Sequence, residues 1–325
     1  MQTFLRVLKF GVLTVLGVVT TGGALLYYFV YSPDAEVPAL SGTLTRGSIE
    51  VDGLTRSYRT YVPRALPKQA PLVVVMHGSG ENGGQIRMET GYGFDRLADL
   101  HGFAVVYPDA YTFDWNDCSR VGDFVADGRP VDDVGFVLAL ADRLVVERDL
   151  DPRRVFATGV SAGGFMSLRL ALEAPSRFRA VAAVSANVPA PDNFKCRPVA
   201  GTSVLLMNGT KDPLVPFDGG EVNLLGWFYR GGNVLGSLAS ARYLAGLDTI
   251  SGAERVDRVR AGDGVEVEHR LWRDDGGIEV ALVAIVGGGH GLPQAAWRRP
   301  RLLGPSPMAP DGPALIWDFF ARQRR

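Results

Sequence analysis

Histidine, cysteine and net charge are all scarce in this chain. Its 325 residues hold four histidines (His77, His101, His269 and His290) and two cysteines, Cys118 and Cys196. No Cys/His cluster has the spacing of a zinc site, which argues against a metal centre. Thirty-four basic residues stand against 35 acidic ones, for a net charge of −1. No basic surface suggests nucleic acid, and no acidic tail suggests a cationic partner. Internal repeats and low-complexity tracts are also missing, so one main domain is expected. Glycine (40) and proline (20) are plentiful, and the chain is 46% hydrophobic and 21% charged. That composition suits a loop-rich α/β protein better than a helical bundle.

The N-terminus stands apart. From Phe10 to Val30 there is no charged residue, a run about long enough (~20 residues) to cross a bilayer core. Arg6 and Lys9 precede it, and Asp34 and Glu36 follow it. The positive-inside rule then puts the N-terminus in the cytoplasm and the remainder outside, membrane-anchored on the periplasmic or extracellular side. Tyr27, Tyr28 and Tyr31 would lie at the outer interface, where a ring with a polar tip is favoured. A cleaved signal peptide, which would leave a secreted protein, is the competing reading. The small residues Gly22-Gly23-Ala24 offer a cleavage site, but Leu25 to Val30 stays apolar beyond it, which favours an uncut anchor. The expected division is 1–31 anchor or signal, 32–40 linker, and 41–325 catalytic domain.

From about Ser41 onward, short apolar runs alternate with helical patterns, as in a parallel sheet flanked by helices. A hairpin is expected around Asp52-Gly53, joining Ser48–Val51 to Tyr58–Val62. Pro71–Met76, Phe103–Tyr107, Arg154–Thr158, Val181–Ser185, Val204–Met207 and Glu279–Val286 read as strands. Asp133–Val146, Ala162–Glu173, Ser237–Leu247 and Ala314–Ala321 read as helices. The stretch 223–233, with Trp227-Phe228-Tyr229, reads as a loop over the site or a surface excursion.

Residues Gly159-Val160-Ser161-Ala162-Gly163 spell G-x-S-x-G directly behind the strand Arg154–Thr158. A chance match is the plain alternative in a glycine-rich chain, but the strand before and the helix after argue for a nucleophile elbow. The strand must turn sharply so that one serine oxygen stands clear of the sheet, and the two glycines permit close backbone approach. The N–H of Ala162, at a helix N-terminus, would face the reacting carbonyl.

A serine hydroxyl needs a base, and the base needs a carboxylate to hold its tautomer. His290 lies in Gly287-Gly288-Gly289-His290-Gly291 after the last strand and is the candidate base. His269 reads as an exposed strand residue, His101 as a helix C-terminal residue, and His77 as a brace at a strand end. Asp212, following the strand Val204–Met207, is the candidate acid; Asp218, a turn residue before glycine, is its rival. The second oxyanion donor is expected from His77-Gly78-Ser79-Gly80, with the Ser79 N–H chosen over those of Gly78 and Gly80. Asp132-Asp133 reads as helix-start capping rather than a catalytic pair. Trp115 and Trp227 are substrate-loop candidates, with packing an equal alternative for Trp115. Outside the cytoplasm, Cys118 and Cys196 would pair; two buried free thiols are the alternative.

Taken together, 71–78, 102–109, 131–136, 154–166, 208–216 and 288–293 resemble the polyhydroxybutyrate depolymerase / feruloyl esterase family of carbohydrate-esterase-type α/β-hydrolases. The resemblance extends from about Ser48 to Phe320. It implies a serine carboxylesterase with Ser161, Asp212 and His290 as its triad, needing no cofactor. Two departures concern the substrate: Gly291-Leu292-Pro293 replaces a threonine-tryptophan-proline run, and the helix from Ser237 lacks a tryptophan. A serine peptidase of the same fold, or a non-catalytic binding protein, are the rival readings. The acyl group, whether hydroxyalkanoate, acetyl or hydroxycinnamoyl, is left open.

Overall fold

In a computed structural model, the apolar runs assemble into one ten-stranded sheet. The structure describes residues 2–323 apart from 122–124, 127–128, 225, 227–228, 248–249, 251–253 and 263. The chain begins with α1 (Gln2–Val30), whose apolar window Leu13–Val30 is long enough to cross a membrane and is not buried within the protein.

The hairpin β1 (Thr43–Val51) and β2 (Leu54–Val62) is longer at both strands than the sequence suggested. Val51 pairs with Leu54, and Asp52 and Gly53 both have positive φ (49° and 77°), the two-residue turn that matches strand twist. β3 (Ala70–Met76), α2 (Gly83–Glu89), α3 (Gly93–His101) and β4 (Ala104–Pro108) follow. After a small pair, β5 (Val125–Ala126) and β6 (Arg129–Pro130), come α4 (Asp133–Arg148), β7 (Leu150–Val160) and α5 (Ala162–Glu173). Then β8 (Ala180–Val184) and β9 (Ser203–Gly209) lead to a ribbon of β10 (Gly219–Leu224) and β11 (Tyr229–Leu235). The chain closes with α6 (Ser237–Leu247), β12 (Arg255–Arg260), β13 (Glu266–Arg273), β14 (Glu279–Ile285) and α7 (Gly312–Ala321).

The strand order is β1-β2-β4-β3-β7-β8-β9-β14-β13-β12. The six strands from β4 to β14 run parallel; the outer pairs on both sides are antiparallel. Successive residues of β3 face opposite layers, as the two-residue period of a strand requires. Leu72, Val74 and Met76 pack with Phe136 of α4, Met166 of α5 and Ala241 of α6. Val73 and Val75 pack with Ile86 of α2, Phe94 of α3 and Trp317 and Phe320 of α7. Ring stacking adds to this second layer: Phe103 lies 4.0 Å from Trp317 and Phe156 lies 4.7 Å from Phe320.

Two readings of the sequence are revised here. Within 223–233, the described residues apart from Gly226 belong to an antiparallel ribbon. Val222 and Val234 sit in the core, and the Asn193 side chain donates to the carbonyls of Gly231 (3.0 Å) and Asn233 (3.2 Å). The 32–40 stretch, expected as a linker, has no regular structure, and within it Ala35 is buried beside Tyr92 and Trp297. Asp132 caps α4 by accepting from the Gly135 N–H at 2.8 Å, but Asp133 does not cap. Its carboxylate pairs with Arg56 of β2 at 2.6 Å and accepts from the Asn116 N–H at 2.7 Å, with both partners of the ion pair buried. Removing one partner of such a pair strands the other charge and costs about 3–5 kcal/mol.

Candidate active site

The site lies at the carboxyl ends of the central strands. β7 ends at Val160, and Ser161 turns the chain with φ 57° and ψ −122° into α5. A non-glycine residue held there stores about 1–3 kcal/mol of strain, which the surroundings must hold. They do so by close backbone contact. A Cβ on Gly159 would lie 2.3 Å from the Gly163 carbonyl carbon, and one on Gly163 would lie 2.2 Å from the Met76 carbonyl oxygen. The Ser161 N–H donates to the Val184 carbonyl (2.9 Å), and its own carbonyl accepts from Phe165 (2.9 Å). The side chain makes no capping hydrogen bond, so the hydroxyl is not spent on the helix start.

Asp212 and His290 meet across 78 residues of chain. The His290 Nδ1 lies 2.8 Å from Asp212 Oδ2, with both side chains nearly inaccessible (2% and 1%). The other carboxylate oxygen of Asp212 accepts from the N–H groups of Leu214 (2.8 Å) and Val215 (2.9 Å). One oxygen is therefore held by backbone and the other aimed at the ring. The two loops approach closely because Gly209 has no side chain; a Cβ there would lie 2.3 Å from the carbonyl oxygens of both Gly288 and Gly289. The His290 N–H donates to the Leu303 carbonyl (2.8 Å), and the Lys211 N–H to that of Gly288 (2.8 Å).

Ser185, read from the sequence only as the end of a strand, joins the two halves. It follows β8 with φ 50°, and its hydroxyl accepts from the Gly291 N–H at 2.7 Å. Ser161 is tied to Val184 and the histidine loop to Ser185, so β8 positions both. No motif marks Ser185; only its neighbours in space do.

The turn after β3 has three N–H groups near the elbow. That of Gly78 is taken by the Glu81 carboxylate (2.9 Å), and that of Gly80 by the Phe113 carbonyl (2.8 Å). Among the described residues, the Ser79 N–H pairs with no acceptor. Ala162 opens α5, so its N–H belongs to the first turn, which has no acceptor within the helix. His77 is fully buried: its Nδ1 lies 2.7 Å from the Gly78 carbonyl, and its Nε2 accepts from the Ala110 N–H at 3.0 Å. Burial pushes its pKa down, which suits a neutral brace.

Trp115 is 1% exposed and its indole N–H donates to the His77 carbonyl at 2.9 Å. It packs under the loop, so the substrate-facing alternative is set aside for that residue. Trp227 and Phe228 lie outside the described residues. Asp218 lies in a turn before Gly219, and the carboxylate at His290 Nδ1 is that of Asp212. His101 ends α3, while His269 is half-buried in β13 rather than exposed, because it pairs between Asp257 and Val283. Cys118 and Cys196 form a disulfide with Cα atoms 5.0 Å apart, joining the Trp115 loop to the segment before β9. Closing a loop of 78 residues stabilises by about 4.5 kcal/mol in the chain-entropy treatment. No group of His, Cys, Asp and Glu suited to a metal occurs among the described residues.

A strained serine at a strand-to-helix turn, with a buried aspartate–histidine pair at the same sheet end, is an arrangement shared by serine hydrolases of the α/β-hydrolase fold. Residues 56–214 match the family model described as esterase PHB depolymerase. The putative esterase NocK of Nocardia uniformis subsp. tsuyamanensis is 31% identical over 300 residues, covering 84% of this chain and 81% of that protein. The chain belongs to this esterase family. A probable feruloyl esterase C of Aspergillus terreus is 27% identical over 285 residues, covering 86% of this chain and 87% of its own length. Poly(3-hydroxyalkanoate) depolymerase C of Paucimonas lemoignei is 30% identical over 128 residues, only 38% of this chain and 30% of that protein. Among solved structures, an acetyl xylan esterase from Aspergillus awamori shares the fold, with a TM-score of 0.54 at 14% identity, over 77% of this chain and 94% of that one.

Proposed function

We propose that Ser161 is the nucleophile, His290 the general base and acid, and Asp212 the residue that orients the imidazole. The 2.8 Å contact between His290 Nδ1 and Asp212 Oδ2 carries the reading. With Nδ1–H donating to the carboxylate, Nε2 is left as the acceptor for a hydroxyl proton. Ser161 Oγ attacks the ester carbonyl carbon as Nε2 takes its proton, and the carbonyl oxygen becomes an oxyanion. The N–H groups of Ala162 and Ser79 are proposed to hold that charge; the engagement of Gly78 and Gly80 elsewhere supports Ser79 as the second donor. Collapse breaks the bond to the alcohol, which leaves with the proton from Nε2. Water then attacks the acyl carbonyl carbon as His290 Nε2 takes its proton, and collapse breaks the bond to Ser161 Oγ, which takes that proton back as the acid leaves.

The test is hydrolysis of p-nitrophenyl acetate, butyrate and octanoate by the wild type and by Ser161→Ala. We expect the variant to lose at least ~10⁴-fold in kcat, and the chain-length profile to separate acetyl from longer acyl groups. A variant as active as the wild type on all three esters would overturn the assignment of Ser161.

α1 is proposed to be an uncleaved membrane anchor, with residues 32–40 the connection and 41–325 the catalytic domain outside the cytoplasm. The apolar window Leu13–Val30, uncovered by the rest of the protein, and the flanking Arg6, Lys9, Asp34 and Glu36 support this. Retention of the intact N-terminus in alkaline-washed membranes, read by mass spectrometry, is the expected result; a chain beginning near Ala24 would replace the anchor with a signal peptide.

A further inference from the structure

The end of α1 is fastened to the same short segment that backs the histidine loop. The Arg301 Nη1 donates to the Tyr28 carbonyl at 3.1 Å, and its guanidinium carbon lies 4.2 Å from the centre of the Tyr28 ring. The Ser32 hydroxyl donates to the Arg298 carbonyl. Ala35 packs between Tyr92 and Trp297, and its N–H points at the Met88 sulfur (3.4 Å). From this segment, Leu303 accepts from the His290 N–H (2.8 Å) and Pro305 accepts from the Gly289 N–H (2.7 Å).

Tyr28 lies inside the membrane-spanning window, two residues from its end. If that window fills the hydrocarbon core, Tyr28 lies about 3 Å inside its outer edge, and it and the arginine on its ring sit at the boundary between hydrocarbon and headgroups. Leu303 is two residues beyond Arg301, at most ~7 Å of extended chain. The loop carrying His290 is therefore held close above the bilayer surface. Other features fit that placement. Arg298 and Arg301 are exposed cations that lipid phosphates would neutralise. Phe113, 61% exposed, sits beside the oxyanion turn, since its carbonyl accepts from the Gly80 N–H. Thr112 and Phe113 both have positive φ (55° and 65°), a left-handed kink in this loop.

We propose that the catalytic domain rests on the bilayer by its active-site end, and that its substrate is an ester presented from the lipid surface, with a long apolar acyl chain. This rests on the anchor reading given above. The occupant of the face that carries Arg298 and Arg301 beside the end of α1 is the lipid surface.

The test uses the full chain in vesicles of phosphatidylcholine with phosphatidylglycerol. Two esters are compared in the same proteoliposomes: p-nitrophenyl palmitate dissolved in the bilayer and p-nitrophenyl acetate in the water. A ~20-residue Gly/Ser insertion between Tyr31 and Ser32 gives the domain a tether of about 25 Å and frees it from one fixed height. We expect the insertion to lower palmitate hydrolysis about tenfold while acetate hydrolysis is unchanged. Arg301→Ala, which keeps the chain length, should shift the ratio in the same direction. Palmitate and acetate hydrolysis that respond in parallel to both changes would overturn the docked arrangement. Wild-type protein stripped from the vesicles by alkaline carbonate would instead overturn the anchor, and the docking with it.

Discussion

The parallel centre of the sheet and its β12–β13 edge solve opposite problems. β3, β8, β9 and β14 are buried at every residue, whereas β12 is exposed at every residue. The centre has helices on both faces, so its strands are near-continuous apolar runs. The edge strand has unpaired backbone on one side and carries charge that discourages another strand from adding to it. Ion pairs run along this edge: Arg258 of β12 with Glu268 of β13 at 2.7 Å, and Arg270 with Glu268, both of β13, at 2.6 Å. The candidate catalytic residues all belong to the centre, where neighbouring backbones are packed too tightly to yield. Strain at Ser161 is tolerable because that rigid frame opposes its relaxation.

The comparison can be broken first at the carboxyl ends of the central strands. Asp212→Asn keeps the shape of the side chain but offers His290 Nδ1 an amide in place of a carboxylate. In its proposed role, the loss in kcat should be about 10³–10⁴-fold, with folding preserved by circular dichroism. A loss of less than tenfold would remove Asp212 from the mechanism. Gly163→Ala comes next: its Cβ would strike the Met76 carbonyl oxygen at 2.2 Å, and strand β3 cannot move without its neighbours. We expect about 2–3 kcal/mol of destabilisation in urea unfolding and about 100-fold lower kcat, because the elbow shifts against the turn after β3. A fully active, fully stable variant would show that the centre is softer than argued.

A smaller effect sharpens the picture at the rim. Glu89 is mostly buried beside Glu81, whose carboxylate holds the Gly78 N–H. Burial pushes the Glu89 carboxyl up to about 7, the Glu81 charge adds to the rise, and Arg299, 3.0 Å away, opposes it. The folded state therefore favours the protonated form. That contribution is whole below the unfolded value near 4.5 and is lost as the pH rises through about 7. Between about pH 5 and about pH 8 the wild-type Tm should fall, by about 2–4 °C for each kcal/mol lost. Glu89→Gln should flatten that fall, and an equal slope in the two proteins would count against the Glu81–Glu89 contact. The smallest effect belongs to the edge. Arg258→Ala removes an exposed pair, for which we expect less than about 1 kcal/mol and no change in kcat.

How much was legible in the sequence followed the same division. The central strands announced themselves as apolar runs, and α5 emerged with the boundaries its pattern gave. β12 did not, since an alternating charged strand at a sheet edge looks like loop. α2 was missed as well: a seven-residue helix beginning Gly83-Gly84 has poor intrinsic propensity, and its start depends on the Asn82 side chain accepting from Gly84 and Gln85. The ribbon β10–β11 owes its order to Asn193, about 40 residues away in the chain. Asp133 looked like a cap because its true partner, Arg56, lies 77 residues earlier.

By itself the sequence determined the elbow, because a strand, two glycines and a helix start within a few residues leave the backbone few alternatives. The family resemblance, carried by the stretches that hold Ser161, Asp212 and His290, also pointed to the reaction class. Only the tertiary structure decided which partners those residues meet. Asp212 reaches His290 because β9 and β14 pair in parallel and Gly209 lets their loops touch. Among the described residues the Ser79 N–H meets no acceptor, while Glu81 and Phe113 take the N–H groups on either side. Trp115 is a packing residue because His77 offers its carbonyl to the indole. These are contacts between segments far apart in the chain, and no local pattern encodes them.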